Sequence, residues 1–261
     1  MKIDVQHRFI DNGSDTTVML LHGFMADSRS MTGIGSGLGG AFNILYIDLP
    51  GFGRTISTGS GYDMETLADS LKMILDELHL EKVVILGYSM GGRVALAFTI
   101  MHPRHVRTLI LESASAGLKT ASERIQRAAV DEERARKIIS DYQAFLDEWE
   151  GMGLFQTQKT LSEESSSRQR KMRESQQPEE VADSLRKYGT GVQPSYWDKL
   201  PQLDMPVLLI AGGRDRKFVS INREMAERIP HATLEIVEGA GHNIHLESRE
   251  KFGTIISEFL T

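Results

Sequence analysis

Short apolar runs separated by helical patterns make up most of this chain. Thr17–Leu21, Asn43–Ile47, Val83–Leu86, Thr108–Leu111, Val207–Ala211 and Thr233–Val237 each read as a strand. Most are apolar at successive rather than alternate positions, as strands covered on both faces should be. Between the second and third, Leu67, Leu71, Ile74, Leu75 and Leu78 recur at helical spacing and mark one buried face. Lys251–Leu260 reads as a last covering helix, and Met1–Val5 as the start of an edge strand. Strands alternating with helices predict an α/β fold built on a mostly parallel sheet flanked by helices.

The alternation fails between residues 115 and 200. That stretch is polar, rich in Arg, Glu, Ser and Gln, and contains Arg168-Gln169-Arg170-Lys171-Met172-Arg173. Nothing in it could build a sheet. A flexible linker is one reading, and Ser165-Ser166-Ser167 has the composition for it. A helical insertion is favoured, because Tyr142, Phe145, Leu146, Trp149 and Phe155 supply apolar anchors that a linker would lack. The expected organisation is a core of residues 1–114 and 201–261 with residues 115–200 as a helical cap over one end of the sheet. No internal repeat is present.

Composition narrows the function classes. A chain of 261 residues suits one domain carrying an insertion, and 40% hydrophobic with 25% charged residues suits a packed globule. A formal net charge of −6 argues against nucleic-acid binding. The absence of cysteine excludes disulfides, thiolate catalysis and cysteine-ligated zinc or iron–sulfur sites. No apolar run approaches the roughly 20 residues of a membrane helix, and the N-terminus lacks the pattern of a signal peptide. A cytoplasmic protein without a membrane partner is expected; no feature of the pattern specifies an oligomer.

Chemistry enters at the ends of the predicted strands. Gly87-Tyr88-Ser89-Met90-Gly91 is a G-x-S-x-G pattern between an apolar strand and a helix. Small residues must flank such a serine because strand and helix pack closely at the turn, and strain there exposes Oγ. The helix N-terminus that follows favours developing negative charge. Leu20-Leu21-His22-Gly23-Phe24 follows another strand, so the amides of Phe24 and Met90 are the candidate oxyanion hole. His22 is read as a brace for that loop, and His102, His105 and His245 carry no motif of their own. Val207–Ala211 then runs through Gly212-Gly213-Arg214 to Asp215, and Thr233–Val237 through glycines to His242. All three side chains leave the same end of a parallel sheet, where open α/β sheets place their sites. Ser89, Asp215 and His242 stand in the chain order of a hydrolase-type triad, with His242 as base and Asp215 fixing its tautomer. Glu112, after the strand ending at Leu111, is a rival acid that lacks the glycine turn.

These pieces resemble the α/β-hydrolase superfamily over the whole chain. A narrower likeness lies in Gly87-Tyr88-Ser89-Met90-Gly91-Gly92-Arg93-Val94-Ala95-Leu96, Leu109-Ile110-Leu111-Glu112-Ser113, Arg214-Asp215-Arg216-Lys217-Phe218 and Gly241-His242-Asn243-Ile244-His245. There the chain resembles the 2-succinyl-6-hydroxy-2,4-cyclohexadiene-1-carboxylate synthase family of menaquinone (vitamin K2) biosynthesis, nearly end to end. The resemblance implies a lyase that eliminates pyruvate from 2-succinyl-5-enolpyruvyl-6-hydroxy-3-cyclohexene-1-carboxylate, with the triad acting as a base and without metal or organic cofactor. It also implies substrate contacts at Tyr88, Arg93, Arg127, Trp149, Phe155, Arg173 and Lys217. Arg124 and Arg170 are alternatives to the two cap arginines.

The residue types suit that chemistry. A substrate with several carboxylates needs several cations, and Arg is the better planar partner. Arg93 follows Ser89 by one helical turn on the same face. The competing reading of the cap arginines is as solvated helix charges paired with Glu132, Glu133 or Glu174. A carboxylic ester hydrolase using the same triad for acyl transfer is the rival function, and an apolar cap would mark it. A non-catalytic binding protein on this fold would be expected to have an incomplete triad.

Overall fold

The computed structural model describes residues 3–57 and 61–261. The strands are β1 (His7–Ile10), β2 (Thr17–Leu21), β3 (Asn43–Ile47), β4 (Val83–Tyr88), β5 (Val106–Glu112), β6 (Val207–Gly212) and β7 (Ala232–Val237). They form one sheet in the order β1-β3-β2-β4-β5-β6-β7. β1 runs antiparallel to β3, and every other neighbouring pair is parallel. Side chains alternate between two buried layers. Met19, Leu21, Ile85, Leu109 and Leu209 join one core cluster, and Val18, Leu20, Leu86, Ile110 and Leu208 join the other. Both layers are buried, which is why these strands read as continuous apolar runs.

Helices α1 (Thr32–Leu38), α2 (Met64–Glu77) and α3 (Met90–Met101) follow β2, β3 and β4. Leu67, Leu71, Ile74 and Leu75 of α2 are buried, while Leu78 is its C-cap. The edge strand expected from Met1–Val5 is displaced: Met1 and Lys2 lie outside the described residues, and strand pairing begins only at His7, which stands opposite Ile47. Ile3 and Val5 are buried by packing on the core, not by pairing in the sheet.

Between β5 and β6 there is no strand. Instead come α4 (Ala121–Ser140), α5 (Tyr142–Gly151), a 3-10 helix at Gly153–Thr160, α6 (Glu163–Glu174) and α7 (Pro178–Tyr188). Ser165-Ser166-Ser167 is helical, not loop. Ser162 caps α6, Glu163 and Glu164 occupy its first turn, and Lys171 and Arg173 its last. That charge order complements the helix dipole and outweighs the weak propensity of serine. Buried polar ties hold this segment to the sheet-bearing part. Gln176 accepts from the Gly53 amide and donates to Asp27, Ser57 donates to Glu180, and Tyr188 donates to the Pro50 carbonyl. A linker would make no such ties.

The remaining elements are α8 (Arg216–Ala226), α9 (Ile244–Glu247) and α10 (Arg249–Leu260). The strand order reverses direction at the β2–β4 pair. Residues of α1 pack in one core layer and residues of α3 in the other. The loops leaving β2 and β4 therefore diverge and open a crevice at the carboxyl ends of the strands, the place where such sheets bind ligands. Phe24 and Ser89 stand on its two sides.

Candidate active site

Ser89 sits between β4 and α3 with φ 50°, ψ −105°, a left-handed strain that few non-glycine residues accept. The turn is held by the Ser89 amide, which donates to the Glu112 carbonyl of β5 at 2.8 Å. Glycine is required on both sides. A Cβ on Gly91 would run into the Leu21 and His22 carbonyl oxygens, and one on Gly87 into the Gly91 carbonyl. The G-x-S-x-G spacing is thus the steric condition for presenting Oγ above the sheet.

Two further loops bring partners to that oxygen. Ser89 Oγ donates to His242 Nε2 at 2.9 Å, and His242 Nδ1 donates to Asp215 Oδ2 at 2.7 Å. Asp215 follows β6 after a turn through Gly213 and Arg214, and it also caps α8 through the Phe218 amide. His242 follows β7, and its ring meets Phe218 edge-on at 4.6 Å. This chain of hydrogen bonds can pass a proton from Ser89 to a fixed imidazole, with a carboxylate to stabilise the resulting cation.

The other acid–base candidates are placed elsewhere. Glu112 is fully buried and accepts from the His245 amide at 3.0 Å and from His245 Nδ1 at 2.6 Å. It is therefore partnered away from His242. The pair stands beside the site, because the Tyr88 ring lies 5.5 Å from the His242 ring and 5.0 Å from the His245 ring. Burial, then the Glu112 charge, keeps the Tyr88 phenol protonated well above its ordinary range. His22 donates from Nδ1 to the Gly23 carbonyl at 2.8 Å and accepts at Nε2 from the Leu49 amide at 3.0 Å. Both ring nitrogens are used, and burial lowers its pKa, so it is a neutral brace under the Phe24 loop.

Above Ser89 lies a cavity of about 360 Å³, within the range of small-molecule sites. Its wall includes Tyr88, Arg93, Phe24, Met90, Lys217 and His242 from the sheet-bearing part, and Arg127, Trp149, Phe155 and Arg173 from the inserted helices. Arg124 and Arg170 are not on it. Arg170 is engaged by Asp147, Glu150 and Glu174, and Arg124 by the Leu118 carbonyl. Trp149 is the hub of an aromatic cluster, 5.1 Å from Phe24, 5.4 Å from Phe155 and 5.9 Å from Phe145. Among the described residues, neither the Phe24 amide nor the Met90 amide donates to a protein acceptor.

The charge on this wall is one-sided. Arg93, Arg127, Arg134, Arg173 and Lys217 line the cavity, and among the described residues no Asp or Glu does. Arg93 is the extreme case. It is only 9% exposed, donates through Nη1 to the Tyr188 carbonyl and Gln193 Oε1, and has no carboxylate partner among the described residues. Burial, then repulsion from Arg127, pulls its pKa down to about 10. Arg127 and Arg173 are held from behind by Asp131 and Glu150.

Several wall residues escape sequence reasoning. Arg134 was readable in principle, since it stands seven residues after Arg127 and so shares its helix face. His245 and Ser113 carry no such signal. Ser113 is buried at φ 48°, and its Oγ has no partner among the described residues.

Comparison with known proteins agrees with this geometry. Residues 16–248 match the alpha/beta hydrolase fold family model. A Bacillus subtilis protein provisionally named 2-succinyl-6-hydroxy-2,4-cyclohexadiene-1-carboxylate synthase is 39% identical over 98% of this chain and 95% of its own length. The solved structure of MenH from S. aureus superposes with a TM-score of 0.94 at 35% identity, covering 97% of each chain. A malate-bound thermophilic esterase from Thermogutta terrifontis superposes at 0.85 with 27% identity, over 98% of this chain and 93% of its own. The chain belongs to the α/β-hydrolase fold family and, within it, to the 2-succinyl-6-hydroxy-2,4-cyclohexadiene-1-carboxylate synthase family.

Proposed function

We propose that the protein eliminates pyruvate from 2-succinyl-5-enolpyruvyl-6-hydroxy-3-cyclohexene-1-carboxylate, yielding 2-succinyl-6-hydroxy-2,4-cyclohexadiene-1-carboxylate in menaquinone biosynthesis. The observation that carries this reading is the cavity wall: five cationic side chains and no carboxylate among the described residues, in a chain of net charge −6. The substrate has a carboxylate on its ring, its succinyl arm and its enolpyruvyl group. In this reading residues 115–200 are a cap that closes those carboxylates over Ser89, and Ser89, His242 and Asp215 are the catalytic triad.

The steps follow from the substrate's bonding. The ring proton at C2 is acidified by the succinyl ketone beside it. His242 Nε2 takes the Ser89 proton as Ser89 Oγ takes the C2 proton. The C–H electrons form the C2–C3 double bond, the C3–C4 double bond moves to C4–C5, and the C5–O bond breaks. Enolpyruvate leaves and receives a proton from the His242 imidazolium to become pyruvate. Negative charge builds on the ketone oxygen during this shift. The Phe24 and Met90 amides, which have no protein acceptor among the described residues, are the donors available to it. Tyr88, Trp149 and Phe155 would pack the ring, and Arg93, Arg127, Arg173 and Lys217 would meet its carboxylates.

A carboxylic ester hydrolase is the second reading, supported by the likeness to the Thermogutta esterase. The same triad would then attack an acyl carbon. A buried guanidinium without a carboxylate suits neutral esters poorly, because it remains uncompensated after they bind. The test is to assay purified protein for pyruvate release from the enolpyruvyl substrate beside hydrolysis of p-nitrophenyl esters. Release of pyruvate with poor ester turnover supports the lyase; the reverse supports the hydrolase. No helix among the described residues is long and apolar enough to cross a membrane, consistent with a cytoplasmic enzyme.

A further inference from the structure

On α4 a second guanidinium, Arg134, lines the cavity in a row with Arg127 and is not yet accounted for. Arg127, Asp131 and Arg134 occupy positions i, i+4 and i+7 and therefore share one helix face. Asp131 is 2% exposed and serves both arginines with one oxygen, at 2.7 Å from Arg127 Nε and 3.4 Å from Arg134 Nη1. Its other oxygen accepts a long contact from the Gly191 amide at 3.4 Å. One carboxylate thus stands behind two cations, and Arg93 adds a third cation without another carboxylate. The excess positive charge faces the cavity that Arg93, Arg127 and Arg134 all line.

A surface ion pair does not account for Arg134. Its contact with Asp131 is long, it has no other hydrogen-bond partner among the described residues, and its side chain is 27% exposed. Burial, then the Arg127 charge, lowers its pKa, so it is held where its own charge is unfavourable. By contrast Arg136, two positions on, is 75% exposed and bonded to Glu132 at 3.1 Å, the ordinary arrangement for a helix arginine.

We propose that Arg134 is a further substrate-binding residue, which with Arg127 grips a carboxylate of the substrate and selects for polyanionic over monoanionic ligands. Asp131 is the positioning residue that holds both guanidinium groups toward the cavity. This rests on the polycarboxylate reading of the site given above. The Arg127 charge acts on both Arg93 and Arg134, and Arg134 lies two helical turns, about 10 Å, further along α4 than Arg127. With Arg93 one helical turn after Ser89, Arg134 is placed at the far end of the row. Its carboxylate is remote from the breaking bonds and is gripped alike in ground and transition states, so its loss acts on KM.

The experiment compares Arg134→Met, Arg134→Lys and the solvent-face control Arg136→Met. Steady-state pyruvate release gives KM and kcat, calorimetric titration gives the affinity for tricarballylate, a small tricarboxylate, and thermal melts report folding. Arg134→Met is expected to raise KM and weaken tricarballylate binding about tenfold or more, with kcat within about threefold. Arg134→Lys should restore part of both, and Arg136→Met should match the unaltered protein. If Arg134→Met behaves like Arg136→Met, or lowers kcat and the thermal midpoint while tricarballylate affinity is unchanged, the proposal is overturned. Should the unaltered protein release no pyruvate, the proposed function fails, but the tricarballylate titration still decides the role of Arg134.

Discussion

Arg93→Ala separates a substrate-binding cation from a structural one, and the structure sets the size of both effects. In the folded protein the guanidinium is buried, and it has no carboxylate partner among the described residues. Holding its pKa near 10 corresponds to a penalty on the order of 3 kcal/mol against the charged form. Removing it relieves that penalty. It also orphans the Tyr188 carbonyl and Gln193 Oε1, which Arg93 satisfies at 3.0 and 2.6 Å. An unsatisfied buried acceptor costs about 1–3 kcal/mol, less where cavity water can reach it. These terms oppose each other, so the thermal midpoint should move by only a few degrees. Catalysis has no such compensation. A hydrogen-bonded charge lost from a substrate carboxylate removes about 1.5–3 kcal/mol, or roughly ten- to a hundred-and-fiftyfold in kcat/KM. Arg93→Lys should recover only part, since it cannot present the planar fork. The assay couples released pyruvate to lactate dehydrogenase across a substrate series, beside a thermal melt. A variant with kcat/KM within twofold of the unaltered protein and a midpoint many degrees lower would refute this reasoning and leave Arg93 as a structural tie.

Glu112 and Asp215 should give opposite phenotypes. Glu112→Ala breaks a buried carboxylate–imidazole pair and is expected to cost about 3–5 kcal/mol in urea melts, while Asp215→Ala should cut kcat by several orders of magnitude with a smaller stability loss; a stable Glu112→Ala protein would contradict the assignment. His22 predicts a pH effect whose sign follows from its lowered pKa. The unfolded chain binds its proton near pH 6.5 and the folded chain does not, so stability is full above that pH and falls below it by up to about 1.4 kcal/mol per pH unit. Urea melts of the unaltered protein and His22→Gln at pH 7 and pH 5 check this, and an equal pH slope in both would count against it.

The β-strands were legible because a parallel sheet covered on both faces leaves little choice of residue, as Val83–Leu86 and Val207–Ala211 illustrate. The Ser89 turn was legible for a steric reason, since Gly87 and Gly91 touch backbone and tolerate no side chain. β1 was misplaced because an edge strand of four residues needs no alternation, while Ile3 and Val5 look strand-like yet pack without pairing. Ser165-Ser166-Ser167 has the composition of a loop, the one feature that favoured the rival linker reading, yet it is helical because helix ends, not propensity, decide α6, where Arg168 also bonds Glu164 one turn back. The pairing of Glu112 with His245 joins residues 133 positions apart, and no local pattern announces such a contact. Arg134 was hidden by its setting, one arginine among many on a polar helix, until the cavity showed which of them face inward.

In the proposed mechanism the decisive step is removal of a carbon-bound proton by Ser89, poised on His242, which releases pyruvate. Its most direct test is to incubate purified protein, Ser89→Ala and His242→Ala with the enolpyruvyl substrate and follow pyruvate, with circular dichroism to verify folding. Rapid pyruvate release by the unaltered protein is expected, with weak turnover of p-nitrophenyl esters and losses of several orders of magnitude in both variants without unfolding. A folded Ser89→Ala protein that releases pyruvate at a near-normal rate, or an unaltered protein that hydrolyses esters efficiently and releases none, would contradict it.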